Sequence, residues 1–376
     1  MVSLAGSFNV ARRLGMIADD LTGAIDAAGA LASPNDTVAV VWSLAQSDSN
    51  GKVSLDTESR STSAEESCER LRVALPVVAR SELTFKKVDS LIRGNTIVEL
   101  ENCCSSGLFG TVIVAPAFPA QSRVTRAGQQ FARHSDGSWR AAGPNLVDAM
   151  AASGLKCRLI ERSMPPAGGG VMICDADSDG DLGRLMAARH RLEAPVLWCG
   201  SAGLARALGT PVPIAVPKGR RRLAVIGSTH WISVNQIESL ATAAPSAIRT
   251  VKSESEVGVV VASIEAKLAS NTFVALAFAT FGQDLAQSAM LQTTTFDMLR
   301  RLERPDVLVV VGGDTLYRLS NSLGATRIDT LGEWMPGVAV SALADGIWAG
   351  AQVISKSGAF GASDFLVRAQ IMTEGN

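Results

Sequence analysis

Short apolar runs rich in β-branched residues alternate with segments of helical periodicity along most of the chain. Glycine, proline and polar residues bound the runs, as expected of strands. The predicted strands are TVAVVW (37–42), LTFKKV (83–88), TVIVAPA (111–117), VMICDA (171–176), APVLWCG (194–200), RLAVIGS (222–228), TFVALAF (272–278), DVLVVVGG (306–313) and AQVIS (351–355). This alternation predicts an α/β fold whose mostly parallel sheets are flanked by helices.

One helix start stands out near the beginning of the sequence, in MIADDLTGAIDAA (16–28). Apolar residues recur there at helical spacing, at positions 21, 24, 25, 28 and 31, so we expect a helix that begins near Asp20. Asp20 is then the candidate N-cap, because its carboxylate can accept a backbone N–H and the helix dipole favours it. Capping does not explain Asp19. This residue is either a simple loop residue or a ligand-binding group at the carboxyl end of a strand.

A linker divides the sequence into two predicted domains. The stretch GTPVPIAVPKGRRR (209–222) combines prolines, glycines and a basic cluster, and it interrupts every periodic pattern. A length of 376 residues is enough for two domains with a core each. We therefore predict domains over residues 1–210 and 220–376. A Ser-rich loop, SLAQSDSN (43–50), is predicted inside the first.

Composition narrows the class of partner. A net charge of −1 and a charged fraction of 19% give no basic excess that would attract nucleic acid or anionic membranes. No apolar run reaches the ~20 residues of a membrane span, and no apolar signal core is visible, so we expect a cytoplasmic protein. The six cysteines and three histidines lack metal-ligand spacing, so idle thiols are expected and any metal site is unknown.

Polar and charged residues concentrate at strand ends of the first predicted domain. KKVDSLIRGN (86–95) offers Arg93, which could hold a carboxylate in a bidentate fork, while Asp89 and Asn95 could hydrogen-bond hydroxyls. LDTESR (55–60) and APAFPAQSR (115–123) add Arg60 and Arg123. The set suits a small hydroxy acid, although a solvated loop with an incidental ion pair would look the same.

The second predicted domain carries glycine-rich turns instead. In VLVVVGGDTLYRLSNSLGA (307–325) a buried strand leads through Gly312 and Gly313 into a helix, which suits a phosphate because backbone N–H groups and the dipole point at it. Similar turns follow at Gly227 and Ser228, and in the segment from Lys356 to Gly361. Three such turns favour a nucleotide, yet the P-loop and dinucleotide fingerprints are both missing.

Taken in order, these segments resemble the four-carbon acid sugar kinase family. The matching segments are ADDLTGAIDAA (18–28), LDTESR (55–60), KKVDSLIRGN (86–95), APAFPAQSR (115–123), GSAGLA (200–205), GGDT (312–315), PGV (336–338) and SKSGAFG (355–361). The resemblance implies an N-terminal sugar-acid domain, a C-terminal ATP domain and an active-site cleft between them. The implied reaction is phosphorylation of erythronate, threonate or 3-oxo-tetronate, with ATP and Mg²⁺.

The resemblance also assigns candidate residues. Those for acceptor binding are Arg60, Lys87, Ser90, Arg93, Asn95 and Arg123. Those for ATP are Ser228, Gly312, Gly313, Asp314, Thr315 and Gly358. The catalytic base is one of Asp19, Asp20 and Asp89, and the sequence does not choose among them.

Three departures from the family pattern keep other functions open. The chain has Leu91-Ile92 where the family has Thr-Leu, Ser122 where it has glycine, and Ala359 where it has glycine near the expected phosphates. An ATP-dependent kinase of another small hydroxy acid and a non-catalytic sensor of sugar acid or nucleotide therefore stay as alternatives. Self-association into a homo-oligomer is open as well.

Overall fold

The computed structural model describes residues 13–42, 51–134, 136–278 and 285–375. The chain divides into two units: the first unit comprises Met1–Asp19 and Ser43–Leu208, and the second unit Asp20–Trp42 and Gly209–Asn376. The predicted Ser-rich loop at 43–50 lies outside the described residues.

The strands lie at β1 (Leu14–Ala18), β2 (Val38–Val41), β3 (Lys52–Asp56), β4 (Leu83–Lys87), β5 (Thr111–Ala115), β6 (Arg123–Arg126), β7 (Gln129–Arg133), β8 (Trp139–Ala141), β9 (Cys157–Ile160), β10 (Gly170–Cys174), β11 (Val196–Gly200), β12 (Arg222–Ile226), β13 (Ile248–Val251), β14 (Phe273–Phe278), β15 (Val307–Val311), β16 (Arg327–Met335), β17 (Val338–Leu343) and β18 (Gln352–Lys356). Each of the predicted strands is present, because each is a short apolar run that the sheet buries.

The helices lie at α1 (Leu21–Leu31), α2 (Ala64–Val78), α3 (Thr96–Ser105), α4 (Leu146–Ala152), α5 (Asp179–Ala187), α6 (Ala202–Gly209), α7 (Trp231–Ala243), α8 (Val257–Ala269), α9 (Leu285–Leu299), α10 (Gly313–Ser322) and α11 (Phe365–Met372). The predicted N-cap of α1 is confirmed, since Asp20 Oδ1 accepts the backbone N–H of Gly23 at 2.9 Å. Within the predicted linker, 209–222, residues 210–221 form no helix or strand between α6 and β12.

The first unit contains a parallel sheet in the order β3-β1-β4-β11-β5-β10-β9. The carboxyl ends of β1, β3 and β4 therefore lie side by side at one edge of the sheet, where open α/β sheets bind ligands. These ends lead into Asp19, the segment 57–60 and the segment 88–95. A small antiparallel sheet of β6, β7 and β8 follows β5.

The second unit contains the strands in the order β13-β14-β12-β15-β18-β17-β16-β2. The first five of them are parallel, whereas β17, β16 and β2 join antiparallel. Glycine turns follow the carboxyl ends of β12, β15 and β18, which are neighbours in the parallel part. The expected fold of mostly parallel sheets with flanking helices is confirmed, and the antiparallel β16–β17 pair is an addition to it.

The segment Asp20–Trp42 forms part of the second unit although it comes early in the sequence. Strand β2 pairs with β16, and α1 packs on β16, β17 and α10. Every residue of α1 is buried, and a Cβ on Gly29 would lie 3.1 Å from the Cβ of Ala339. The predicted domains 1–210 and 220–376 assign one ligand to each half of the chain, and this assignment stays a prediction. The expected cleft stays a prediction as well.

Candidate functional site

Asp19 is held by an arginine at the carboxyl end of β1. Arg60 donates from Nε to Oδ2 at 2.9 Å and from Nη2 to Oδ1 at 2.8 Å, a bidentate pair, and its backbone N–H donates to the Asp19 carbonyl at 3.1 Å. Burial alone would raise the pKa of Asp19, but the positive charges of Arg60, Lys86 and Lys87 outweigh it and lower the pKa. Asp19 is therefore an ionised, oriented carboxylate rather than a strong base.

Asp89 has the same design in the loop after β4. Arg93 donates from Nε to Oδ2 at 2.8 Å and from Nη2 to Oδ1 at 2.7 Å, and Arg60 approaches Oδ1 at 3.7 Å. Burial would raise the pKa of Asp89, yet the hydrogen bond from Arg93 and the charges of Arg60 and Arg93 lower it well below its usual range. The fork of Arg93, predicted to hold the acceptor carboxylate, is engaged by Asp89 in this structure.

A buried ion pair lies beneath these two carboxylates. Lys86 Nζ is 2.7 Å from Glu99 Oε2, and both side chains are almost completely buried. Glu99 Oε1 accepts hydrogen bonds from the hydroxyls of Ser59 and Ser67. Burial disfavours the charged lysine, but Glu99 and Asp19 raise the pKa of Lys86 to about 12. The pair fixes Ser59, and thereby the backbone that presents Arg60 to Asp19.

The other predicted acceptor residues lie in the same part of the first unit. Lys87 is buried and donates from Nζ to the Val88 carbonyl at 2.9 Å, and Asn95 donates to the carbonyls of Ser59 at 2.8 Å and Thr62 at 3.0 Å. The Ser90 carbonyl accepts from Gln130 at 2.8 Å. The contacts of Asn95 tie the segments 57–62 and 87–95 together, so this predicted residue shapes the loops.

Arg123 differs from Arg60 and Arg93, because its hydrogen bonds go to backbone carbonyls and not to a carboxylate. It is only 8% exposed and donates from Nη1 to the carbonyls of Gln121 and Ser122, while its Nε is buried with no hydrogen-bond partner in the described structure. Burial lowers the pKa of Arg123, opposed by the charge of Asp89. A desolvated guanidinium with an unpaired N–H is suited to bind an anion.

The predicted nucleotide residues converge in the second unit. An ideal Cβ on Gly358 would lie 1.8 Å from Ser228 Oγ, and one on Gly312 would lie 3.1 Å from Thr315 Oγ1. Gly312 has a φ of +114°, in the region that glycine favours, and it begins α10 without a side-chain cap. The turns after β12, β15 and β18 therefore form one cluster, and Asp314 is exposed in the first turn of α10.

Two buried side chains line this cluster: Gln292, which the sequence did not indicate, and Lys356, which belongs to the third predicted turn. Gln292 on α9 lies beside Gly227, with its Oε1 3.1 Å from the ideal Cβ position, and that oxygen has no hydrogen-bond partner among the described residues. Lys356 Nζ donates to the carbonyls of Phe360 at 2.9 Å and Ser357 at 3.1 Å, and it lies over the ring of Phe365. Burial lowers the pKa of Lys356 to about 7.

Sequence reasoning missed Lys86, Glu99 and Gln292 as members of these clusters. Glu99 lies on α3 and Gln292 on α9, both within helices whose pattern gave no reason to single out one polar residue. Lys86 precedes the lysine that was selected, and the alternation of side chains along β4 points the two to opposite faces. The sequence did contain one signal for Lys86. A strand of a parallel sheet is expected to be buried on both faces, and this one ends in two lysines.

Metal ligands are sparse in the part of the chain that is described. No group of three or more His, Cys, Asp or Glu side chains there could hold a metal ion, and the six cysteines are free thiols. Mg²⁺ bound to a nucleotide needs fewer protein ligands, since it takes one or two protein carboxylates besides phosphate oxygens. Asp314 and Asp20 are carboxylates at the turn after β15, so the donor set fits such an ion.

Comparison with known proteins matches both halves of the chain. Residues 14–155 match a domain described as "Sugar-binding N-terminal domain", and residues 223–366 match one described as "Nucleotide-binding C-terminal domain". The chain is thus a two-domain protein of a class that joins sugar binding to nucleotide binding. It belongs to the four-carbon acid sugar kinase family, as the ordered motifs predicted.

Curated relatives carry the name D-threonate kinase. The chain is 32% identical to that of Cupriavidus necator over 261 residues, 60% of this chain and 62% of the relative. It is 26% identical to that of Salmonella typhimurium over 259 residues, 60% of each. The matched part thus spans about six-tenths of these relatives' length. The crystal structure of the Haemophilus influenzae protein HI1011 has a TM-score of 0.68 at 19% identity, covering 96% of this chain and 100% of that one, and supports the fold.

Among the described residues, none of the helices has the length and apolar character required to cross a bilayer.

Proposed function

We propose that the chain is an ATP-dependent kinase that phosphorylates a hydroxyl of a four-carbon acid sugar, with threonate as the first candidate among threonate, erythronate and 3-oxo-tetronate. The observation that carries the proposal is the convergence of Ser228, Gly312, Thr315 and Gly358 in the unit that matches a nucleotide-binding domain. The names of the curated relatives support threonate. Such an enzyme draws on cytoplasmic ATP, and we propose the cytoplasm as its location.

The acceptor is proposed to bind in the loop cluster of the first unit. Arg123 has the unpaired buried N–H that would meet the carboxylate of a sugar acid. Asp19 and Asp89, kept ionised by Arg60 and Arg93, would accept hydrogen bonds from its hydroxyls through both oxygens of Asp19 and through Oδ1 of Asp89, since each of these accepts one hydrogen bond in the structure and keeps a lone pair. Asp89 Oδ2 already accepts from the backbone N–H groups of Leu91 and Arg93 and from Arg93 Nε. One of them would orient the attacking hydroxyl and take its proton.

The phosphates of ATP are proposed to bind at the glycine turns of the second unit, against the N-terminus of α10. Phosphoryl transfer depends mostly on positioning and charge stabilisation, so a weakly basic, well-oriented carboxylate is sufficient to direct the acceptor hydroxyl. Mg²⁺ bound with ATP would neutralise charge on the phosphates. The residues that would hold it are Asp20 and Asp314, together with the phosphate oxygens.

An ADP-release assay tests this proposal. The acids to compare are D- and L-threonate, D- and L-erythronate, 3-oxo-tetronate, glycerate and 4-hydroxybutyrate. We expect ADP formation with one of the tetronates, and a phosphorylated product by mass spectrometry. Turnover with glycerate or 4-hydroxybutyrate alone would favour a kinase of another hydroxy acid, and binding of a tetronate without turnover would favour a sensor.

Two arginine variants test the acceptor site. Arg123→Lys keeps the charge and loses the planar fork, so we expect the KM for the acid to rise by about tenfold or more while the KM for ATP stays unchanged. Arg93→Lys should raise it less, because Asp89 already occupies that fork. Equal effects of Arg123→Lys on both substrates would contradict the assignment.

A further inference from the structure

The two adjacent aspartates at the start of α1 contact different partners. Asp19, in the first unit, is held by Arg60. Asp20, in the second unit, caps α1 with Oδ1, while its Oδ2 lies 3.4 Å from the ideal Cβ position on Gly313. Gly313 is the first residue of α10, in the turn expected to bind phosphate. A single motif therefore provides one carboxylate to each unit.

Thr22 lies at the same point, and its hydroxyl has no hydrogen-bond partner among the residues that the structure describes. The residue is 9% exposed, and Oγ1 is buried without a hydrogen-bond partner in the described part of the chain. Oγ1 lies 2.1 Å from the ideal Cβ position on Gly313, so it is directed at the beginning of α10. A buried hydroxyl left unsatisfied is unfavourable, which makes it a candidate for a ligand contact.

The surroundings define the chemistry of that ligand. Helix α10 has ten residues and no side-chain cap, so its first turn can receive an anion. The Thr22 hydroxyl can donate to a phosphate oxygen at this place. The carboxylate of Asp20 would repel a bare phosphate, but it would favour one that carries a divalent cation, since such a cation is shared between phosphate and carboxylate oxygens.

We infer that Asp20 and Thr22 serve the nucleotide rather than the sugar acid. In this arrangement Thr22 donates a hydrogen bond to a phosphate oxygen of ATP, and Asp20 ligates the divalent cation that the phosphates carry. The inference rests on the proposed function, because it requires that the turn after β15 binds ATP. It also gives a second reason why residue 313 is a glycine, since any side chain there would occupy the space of the Thr22 hydroxyl.

Titration calorimetry with ATP, in excess Mg²⁺ and in EDTA, tests the inference without acceptor or turnover. Thr22→Val replaces the hydroxyl with a methyl group of similar size, and we expect about tenfold weaker MgATP binding, restored by Thr22→Ser. Asp20→Asn retains the cap, and we expect about tenfold weaker MgATP binding with unchanged or tighter binding of metal-free ATP. Asp36→Asn, in the turn after α1, is the matched control and should bind as the parent protein does.

Thermal unfolding of each variant separates binding from folding. Because the Thr22 hydroxyl has no hydrogen-bond partner in the described structure, Thr22→Val should be at least as stable as the parent chain. Asp19→Asn should keep MgATP affinity and impair only the reaction with the acceptor. If Thr22→Val and Asp20→Asn both bind MgATP like the parent, the inference is wrong and the proposed function stands. If the parent protein binds no nucleotide, both fail.

Discussion

The loop cluster of the first unit and the glycine turns of the second unit are built by different means. In the first unit, charged side chains are paired with one another: Asp19 with Arg60, Asp89 with Arg93, and Lys86 with Glu99. In the second unit, the turns after β12, β15 and β18 bring glycines and hydroxyl side chains together, and the buried Lys356 beside them has its pKa lowered to about 7. A small acid with several hydroxyls is recognised by fixed charges, whereas a phosphate chain is recognised by backbone N–H groups and a helix dipole.

The backbone shows the same contrast. Loops around the charged cluster hold non-glycine residues at positive φ, including Glu58 (51°), Ile92 (57°) and Ser122 (56°). The corresponding positions at the nucleotide turns are glycines, Gly312 (114°) and Gly361 (87°). A left-handed backbone is costly for a residue with a Cβ, and most so for a β-branched one such as Ile92. The first unit therefore keeps its loop geometry by side-chain contacts that outweigh this strain.

Removing one partner of the buried pair should have the largest effect. Glu99→Gln leaves the Lys86 charge buried without its ion-pair partner, and we expect a loss of about 3–5 kcal/mol in the free energy of unfolding, measured with urea. Glu65→Gln, on the exposed first turn of α2, is the control and should change little. The double variant Lys86→Met/Glu99→Leu should recover most of the loss. A loss below about 1 kcal/mol for Glu99→Gln would mean that the charges do not depend on each other.

A side chain at the start of α10 tests the backbone-based site. Gly313→Val should weaken ATP binding by about 100-fold or more, because the new side chain would meet the Thr22 hydroxyl and occupy the space in front of the helix N-terminus. Gly258→Val, on the open side of α8, is the control for a β-branched residue replacing a helical glycine. Unchanged nucleotide affinity by calorimetry would exclude this turn as the phosphate site.

The protonation state of the buried Lys356 beside these turns can be measured through stability. The native lysine loses its proton near pH 7, whereas the unfolded chain keeps it to about 10.5, so the unfolded state binds more protons between these values and stability should rise with pH. The expected slope is up to about 1.4 kcal/mol per pH unit. The neutral amine still donates to both carbonyls. Lys356→Met should lose this slope in urea titrations from pH 7 to 9, and an equal slope in both proteins would show that Lys356 stays charged.

The smallest effect is expected at Ser122. Glycine adopts the φ of +56° without the strain of a Cβ, but it also adds freedom to the unfolded chain, so Ser122→Gly should raise stability by less than about 1 kcal/mol. Ser122→Ala keeps the strain and should show no gain. Thermal melting of the two variants measures the difference, and a loss of stability in Ser122→Gly would mean that the serine side chain is needed here.

What the sequence predicted well was local. The cap formed by Asp20 joins residues three positions apart, and the turn from Gly312 into α10 follows directly from a strand, so short stretches of sequence contain all the information. The pairs between Asp19 and Arg60, and between Lys86 and Glu99, join residues from different elements. No spacing rule marks such pairs, because the sheet order that brings them together is a property of the whole unit.

The placement of α1 could not be predicted for a related reason. Its periodicity showed an apolar face, but not which sheet that face would cover, and proximity in sequence suggested the sheet that contains β1. The antiparallel pair of β16 and β17 was not predicted, so the sheet that α1 covers was incomplete in the prediction. The candidate acceptor, nucleotide and base residues stay predictions until the variants above are measured.

The inclusion of Asp20–Trp42 in the second unit also constrains how that unit is made. During synthesis this segment emerges long before β16, its pairing partner, so the second unit cannot complete its sheet until nearly all of the chain has been translated. A fragment cut at the linker, residues 209–376, would lack α1 and β2 and leave the β16 edge that pairs with β2 open. Such a fragment should aggregate, and a peptide spanning 20–42 added in trans should restore its solubility.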